Sequence, residues 1–280
     1  MPAASPDHRH SAELLTPHLR TAWLGRTLHL LDATDSTNTE IQRLSGGRAP
    51  HGTVVWADRQ TAGRGRRGRQ WFSAPGTSLC VSLLLRPPGE ALRDRSWLPW
   101  VPLAAALGLA AGITRGSALQ AHLKWPNDLL FGAEKVGGLL CENLPASGQS
   151  PALIVGFGLN VNSPRQDFPP ELQSLSTSLA EQAGRPLDRH RLLADILNEL
   201  EPRLDAASRA DLASLRAAYR HSCTTLGKRV RVDLAESRSV EGTALDIADS
   251  GALLVQPDAL PDSPTPEVVE VLAGDVVHLR

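Results

Sequence analysis

From Leu226 to its end the chain breaks into five short stretches of alternating character, at 229–234, 239–247, 252–256, 267–272 and 276–279. Five strands this short within 55 residues predict a small barrel, and that is the strongest constraint on the fold. Upstream the pattern is different. Strand-like runs at 53–57, 78–85, 136–142 and 152–159 are interleaved with helical patterns at 39–44, 98–113, 188–201 and 209–221. A further short strand ends at Lys124-Trp125-Pro126-Asn127-Asp128, where the proline forces a break. The chain is therefore expected to be α+β, a mixed β-sheet with packed helices followed by the small barrel. Residues 1–28 read as a helical lead-in, 29–224 as the main domain and 225–280 as the barrel, with the junction near Ser222 to Gly227.

At 280 residues and 41% hydrophobic the sequence can bury a sizeable core. A net charge of −1 gives no overall basic field, so nucleic-acid affinity would need a local patch. The N-terminus has no apolar signal region, and the longest apolar run, Val101 to Ile113, is too short to span a bilayer. Cys80, Cys141 and Cys223 are far apart and lack metal-ligand spacing, which reads as buried thiols in a reducing cytoplasm. The nine histidines are scattered singly and read as structural or surface groups.

Charge concentrates in one place. Gly63-Arg64-Gly65-Arg66-Arg67-Gly68-Arg69 puts four guanidinium groups and three glycines into seven residues, between two expected strands. Glycine N–H groups approach an anion closely and arginine forks match carboxylate or phosphate oxygens. On these residues alone, an anion cradle, a solvated charged turn and a strip tracking a nucleic-acid backbone all remain open. Repulsion among the arginines and the absence of packing at the glycines predict a mobile segment that an anion would order.

Lysine is rare: of the 29 basic residues 26 are Arg, and only Lys124, Lys135 and Lys228 are Lys. Two of these fall in Lys124-Trp125-Pro126-Asn127-Asp128 and Lys135-Val136-Gly137-Gly138, seven residues apart in order. Compact ammonium groups fixed near a carboxylate and an α-phosphate would stabilise the charge that develops in an adenylation reaction. A strand end followed by a turn is the plain alternative for the first segment.

Six separated blocks together resemble the biotin protein ligases: Asp35-Ser36-Thr37-Asn38, Gln60-Thr61-Ala62 leading into the Arg-Gly segment, Trp71-Phe72, the Lys124 segment, the Lys135 segment, and Gly158-Leu159-Asn160-Val161-Asn162. The resemblance covers about residues 30 to 280 and implies a class II synthetase-like catalytic domain with a terminal SH3-like barrel. It further implies a two-step reaction, in which biotin and ATP, with Mg²⁺, give biotinyl-5′-adenylate and pyrophosphate. A lysine of a biotin carboxyl carrier protein domain then attacks the mixed anhydride.

Carried onto this sequence, the resemblance places Ser36, Thr37, Asn38 and Gln60 on the biotin head, and Arg64, Gly65 and Arg66 on its carboxylate and then the adenylate phosphate. Gly137 and Gly138 would let the backbone pass close to the bicyclic ring. Arg67, Arg69, Lys124 and Asn127 would serve the nucleotide phosphates and the reacting centre. Trp71 would lie against adenine, with Asn160 and Asn162 nearby. Lys135, Arg66 and Asp128 would be catalytic, Asp128 handling the incoming amine. No protein metal site is expected, since Mg²⁺ is held mostly by phosphates and water.

The resemblance also implies a cytoplasmic enzyme and leaves a homodimer open. Larger relatives carry an N-terminal DNA-binding domain for which 28 residues leave no room, so no DNA partner and no membrane partner are expected. The Pro-rich stretch Ala259 to Pro266 is an insertion in the barrel. A lipoate ligase or octanoyl transferase is the nearest rival, and it would leave the polar set at Ser36, Thr37, Asn38 and Gln60 with less to do. A single-stranded nucleic-acid binder is the other, and 11 aromatic residues, only Trp71 and Phe72 beside the loop, offer it few stacking platforms.

Overall fold

The computed structural model describes residues 11–47, 49–86, 97–144, 152–234, 238–259 and 266–279. Residues 1–10 of the expected lead-in, with His8 and His10, most of the loop expected after Leu144, and 260–265 of the Pro-rich insertion lie outside the described residues.

The first described elements are a single helical turn, α1 (Ala12–Leu15), and a 3-10 turn at Thr16–His18. The chain continues through β1 (Leu28–Thr34), α2 (Thr37–Ser45), β2 (Val54–Gln60), β3 (Ser78–Leu85) and α3 (Trp100–Ser117). A hairpin of β4 (His122–Lys124) and β5 (Asp128–Phe131) leads into the long β6 (Glu134–Leu144) and β7 (Ala152–Asn160), followed by α4 (Leu179–Ala183), α5 (Arg189–Ser208) and α6 (Leu212–Ser222). The terminal strands are β8 (Arg229–Asp233), β9 (Ser239–Ile247), β10 (Leu253–Pro257), β11 (Val269–Val271) and β12 (Asp275–His278).

The first seven strands form one mixed sheet in the order β1-β2-β3-β7-β6-β5-β4, with β1 and β2 parallel and all other pairs antiparallel. The last five form an antiparallel sheet, β11-β10-β9-β8-β12. The α+β reading and the five terminal strands therefore hold, and three elements are additions to it, β1, β5 and the five-residue α4. β1 carries His29 and Asp32 and is half-exposed along its length, as an edge strand can be, so its composition reads as loop and cap. β5 is only four residues long and follows directly on a proline turn.

β3 and β7 are buried at every position because the sheet is covered on both faces. One cover is the α3–α5 pair. A Cβ added at Gly112 of α3 would lie 2.4 Å from the Ile196 Cα of α5, so only glycine permits this approach. The lead-in is fixed by Glu201 of α5, whose carboxylate accepts the backbone N–H groups of Ala22, Trp23 and Leu24 at 2.6, 2.9 and 2.7 Å. The main apolar cluster runs unbroken from β3 and α3 to Val230, Ala244 and Leu253, so the two sheets share a core. No described helix is long and apolar enough to cross a membrane.

Candidate functional site

The face of the sheet opposite α3 and α5 carries α2, whose N-terminus opens a polar recess. Ser36 is the N-cap by position, yet its side chain caps nothing; Gln60 at the end of β2 supplies the cap, its Oε1 accepting from Thr37 N at 2.8 Å and Thr37 Oγ1 at 3.0 Å. Ser82 of β3 places its hydroxyl 2.7 Å from Thr37 Oγ1 and 2.6 Å from Asn38 Oδ1. Asn38 Nδ2 donates to Glu142 of β6 at 2.7 Å. Each buried amide and hydroxyl is thereby held in one orientation, and the recess presents fixed donors and acceptors without a net buried charge.

The Arg-Gly loop between β2 and β3 has a defined shape. Gly65 N donates to Arg69 O at 2.7 Å and Trp71 N to Gly63 O at 2.9 Å, closing the loop on itself around a 3-10 turn in which Arg67 adopts a left-handed φ of 53°. Each arginine meets an acceptor brought from elsewhere in the chain. Arg64 pairs with Glu142 at 2.9 Å, Arg66 Nη1 donates to Asn127 Oδ1 at 3.0 Å, Arg67 Nη2 donates to Asp233 O at 2.7 Å, and Arg69 pairs closely with Asp275. Asp275 also lies 3.9 Å from Arg66 and 3.7 Å from Arg67. The expectation of a mobile segment weighed only neighbours along the chain; the carboxylates that meet these arginines come from β6 and β12. Burial pushes the Arg66 guanidinium below its ordinary value, with Asp275 opposing the shift.

The β4–β5 hairpin supplies the second group of cations. Its Trp125–Pro126 peptide is cis, and Trp125 is tied into the terminal sheet: its N–H donates to Thr225 Oγ1 at 3.1 Å and its indole N–H to Gly251 O at 3.3 Å. Asn127 is fixed to β6 by a reciprocal pair, Asn127 Nδ2 to Leu139 O and Leu139 N to Asn127 O, both 2.9 Å. Lys135 Nζ lies 2.5 Å from Asp128 Oδ1. Burial pushes the Lys124 ammonium down, against the attraction of Asp128. Beyond this cluster the Trp71 indole packs on the backbone of β7, where a Cβ at Gly158 would lie 2.2 Å from its ring, and Lys135 Nζ stands 6.0 Å from that ring. Asn160 Oδ1 is buried without a hydrogen-bond partner in the protein, on a residue that lines the same cavity.

These parts line a cavity of about 420 Å³. Every residue expected at the site lines it except Gly137, Arg67 and Asn162. Successive residues of a strand face opposite ways, so β6 can offer Gly138 or Gly137 to the cavity but not both. Gly138 is the one offered, while a Cβ at Gly137 would meet Gly158 O at 2.9 Å. Arg67 turns toward the terminal sheet because its left-handed backbone aims it at the Asp233 carbonyl. Asn162 is likewise spent on structure, exchanging two hydrogen bonds with the Leu187 backbone at 2.9 Å.

Ser82, Glu142, Gly156, Asp233 and Asp275 take part in the site without having been singled out from sequence. The spacing of Gly156 and Gly158, two apart on one strand face, was a legible signal for a surface that approaches a ligand or ring. Among the described residues no group of three or more His, Cys, Asp or Glu side chains could hold a metal ion.

A mixed sheet whose cavity gathers a neutral hydrogen-bonding recess, a group of cations and an aromatic face has the parts needed to join a small carboxylic acid to a protein. Residues 30–160 match the biotin/lipoate A/B protein ligase family and residues 225–279 the biotin protein ligase C terminal domain. The chain is 34% identical over 256 residues to the biotin–[acetyl-CoA-carboxylase] ligase of Mycobacterium tuberculosis, covering 91% of this chain and 90% of that one. It is 34% identical over 242 residues to the bifunctional ligase/repressor BirA of Bacillus subtilis, covering 85% and 72%. Its structure resembles that of biotin protein ligase from Aquifex aeolicus in complex with biotin and ATP, with a TM-score of 0.74, 30% identity and coverage of 91% and 99%. The chain belongs to the biotin protein ligase family.

Proposed function

We propose that this protein activates biotin with ATP to biotinyl-5′-adenylate and transfers the biotinyl group to a lysine of a biotin carboxyl carrier protein domain. The observation that carries this reading is the meeting in one cavity of a neutral hydrogen-bonding recess, the cations Arg66, Lys124 and Lys135, and the Trp71 face with the unpartnered Asn160 acceptor. The recess of Ser36, Thr37, Asn38 and Gln60 suits the ureido head, whose donors and acceptors would otherwise be desolvated without compensation. With the head so held, the valerate carboxylate extends toward Arg64, Gly65 and Arg66.

In the first step a carboxylate oxygen attacks the α-phosphorus of ATP and pyrophosphate leaves. Arg66 and Lys135 stabilise the charge gathering on the phosphoryl oxygens, in a site whose burial strengthens them. Asp128 orients Lys135 through their contact of 2.5 Å, a positioning role that accompanies any part it plays toward the acceptor amine. Lys124, Asn127 and Arg69 complete the phosphate surroundings, with Arg67 acting from outside the cavity on the loop. A Mg²⁺ ion bound with the nucleotide would supply neutralisation of triphosphate charge, and Asp128 or Asp275 would be the carboxylates within reach of it. Residues 29–224 serve as the catalytic domain and 225–280 as a C-terminal domain that supplies Asp233 and Asp275, and the reaction is placed in the cytoplasm.

Biotin-dependent exchange of labelled pyrophosphate into ATP tests the first step, and the mass of a carrier domain after incubation with biotin and ATP tests the second. Exchange supported by lipoate and not by biotin would overturn the assignment.

A further inference from the structure

The hydrogen bonds of the recess are one proton short. Gln60 Oε1, Thr37 Oγ1, Ser82 Oγ and Asn38 Oδ1 form a row of four oxygens with successive contacts of 3.0, 2.7 and 2.6 Å. Only the hydroxyls of Thr37 and Ser82 carry protons to place along the row, so two protons serve three contacts. The backbone N–H of Thr37 is a further donor, but it is spent on Gln60 Oε1 at 2.8 Å. Whichever contact lacks its proton, the acceptor left open belongs to Thr37, Asn38 or Gln60, all of which line the cavity.

The shortfall depends on which way the Asn38 amide faces. Turned over, the amide would give an N–H to Ser82, Ser82 would give its proton to Thr37, and Thr37 would give its own to Gln60. All three contacts would then be hydrogen bonds, and the row would ask nothing of a ligand. Glu142 on β6 forbids this. Its Oε2 lies 2.7 Å from Asn38 Nδ2, and a carboxylate only accepts, so an amide oxygen in that place would face a second acceptor. Leu140 O, at 3.3 Å, adds a weaker preference of the same sign. Arg64 Nη2 lies 2.9 Å from the same Glu142 oxygen and supplies its counter-charge. Glu142 does not itself line the cavity and acts through Asn38.

We infer that Glu142 is a positioning residue that sets the hydrogen-bond polarity of the recess: its carboxylate holds Asn38 so that the row stays one donor short, which reserves the recess for a head group bearing an N–H. The inference rests on the ligase reading, since a ureido ring brings two such N–H groups while a dithiolane or a plain acyl chain brings none. A buried acceptor left open rejects the head that cannot fill it, because its lost hydration is then uncompensated.

Exchanging the two side chains' roles tests this. Glu142→Gln keeps the shape, and at 32% exposure the site tolerates the change, but the new amide can turn a donor toward Asn38. The Asn38 amide then turns over and the row saturates. The KM for biotin in pyrophosphate exchange should rise about tenfold or more, with the KM for ATP within about twofold of the parent's. Asn38→Asp alone brings two carboxylates together at the 2.7 Å contact and should weaken biotin at least as much. In Asn38→Asp with Glu142→Gln, position 38 again offers Ser82 only an acceptor and position 142 donates to it, so the KM for biotin should return to within about threefold of the parent's. Loss of a contact by itself predicts no such rescue. A KM for biotin in Glu142→Gln within about twofold of the parent's, a parallel rise in the KM for ATP, or a double variant no better than Glu142→Gln would each overturn the role of Glu142 and leave the ligase reading standing. Absence of biotin-dependent exchange in the unmodified protein refutes the ligase reading and the role of Glu142 with it.

Discussion

Gly156 sits on β7 directly beneath Asn38, and replacing it by alanine is the sharpest test of the recess. The new Cβ would lie 2.0 Å from Asn38 Oδ1, 2.9 Å from its Cγ and 3.0 Å from its Nδ2, well inside the 3.4 Å at which ordinary contact begins. Asn38 cannot yield by a small rotation. Its Oδ1 is held by Ser82 at 2.6 Å and its Nδ2 by Glu142 at 2.7 Å, and the residue is only 3% exposed. Displacing the amide forfeits two short hydrogen bonds, one of them to a carboxylate, for about 2–3 kcal/mol. Residual crowding between β7 and α2 adds about 1–2 kcal/mol. Urea unfolding of Gly156→Ala should therefore show a loss of about 3–5 kcal/mol, and calorimetric titration should show biotin binding weakened by about tenfold or more. Gly184→Ala is the control: its φ of 66° is strained for alanine, but no atom lies within 4 Å of the new Cβ, so about 1 kcal/mol is lost and biotin affinity is kept. A loss below about 1 kcal/mol in Gly156→Ala with unchanged biotin affinity would refute the account of the recess as a rigid network.

Arg66→Ala and Lys135→Ala each remove a buried or half-buried cation from the reacting centre and should slow biotin-dependent pyrophosphate exchange by about 30- to 1000-fold, equivalent to about 2–4 kcal/mol; wild-type exchange in both would remove them from the first step. Asp275→Ala withdraws the carboxylate shared by Arg66, Arg67 and Arg69, so trypsin should cut the 64–69 loop faster than in the parent protein, with biotin and ATP restoring protection. Equal digestion would show that the loop's shape does not depend on Asp275. His278 is held down to about 4 by burial and then by Lys228 and Lys124, so the folded state favours its neutral form. Its unfolded value is near 6.5, and stability is therefore complete above that pH and falls as pH drops from 6.5 toward 4, by about 1–2 kcal/mol after allowing for its partial exposure. Thermal melts of His278→Gln should lose this part of the acid dependence; a profile identical to the parent's would assign it to other groups.

The strands buried on both faces were legible because continuous apolar runs such as Ser78–Leu85 need no partner to be read. The cationic part of the site was legible for a similar local reason, since glycines, arginines and scarce lysines cluster within short segments. What could not be read were relationships across the chain. Ser82 meets Asn38 across 44 residues, Glu142 meets Arg64 across 78, and Asp275 meets Arg69 across 206. None of these polar residues stands out beside its own neighbours. The assignment of both Gly137 and Gly138 to the cavity failed for a geometric reason that the strand's two-residue period already contained.

Trp125 joins the hairpin to the terminal sheet twice, through its backbone N–H and through its indole, and it is only 2% exposed. A fragment ending at residue 224 would keep Lys124, Asp128 and Lys135 in sequence while stripping two acceptors from the segment that carries the first two and baring an indole to water. Such a fragment is a candidate for precipitation more than for a slower enzyme. In grafting or shuffling experiments the inheritable part is accordingly the pair of sheets: a donor terminal segment must bring a hydroxyl where Thr225 stands and a carboxylate where Asp275 stands, or the recipient's hairpin and arginine loop arrive without their supports.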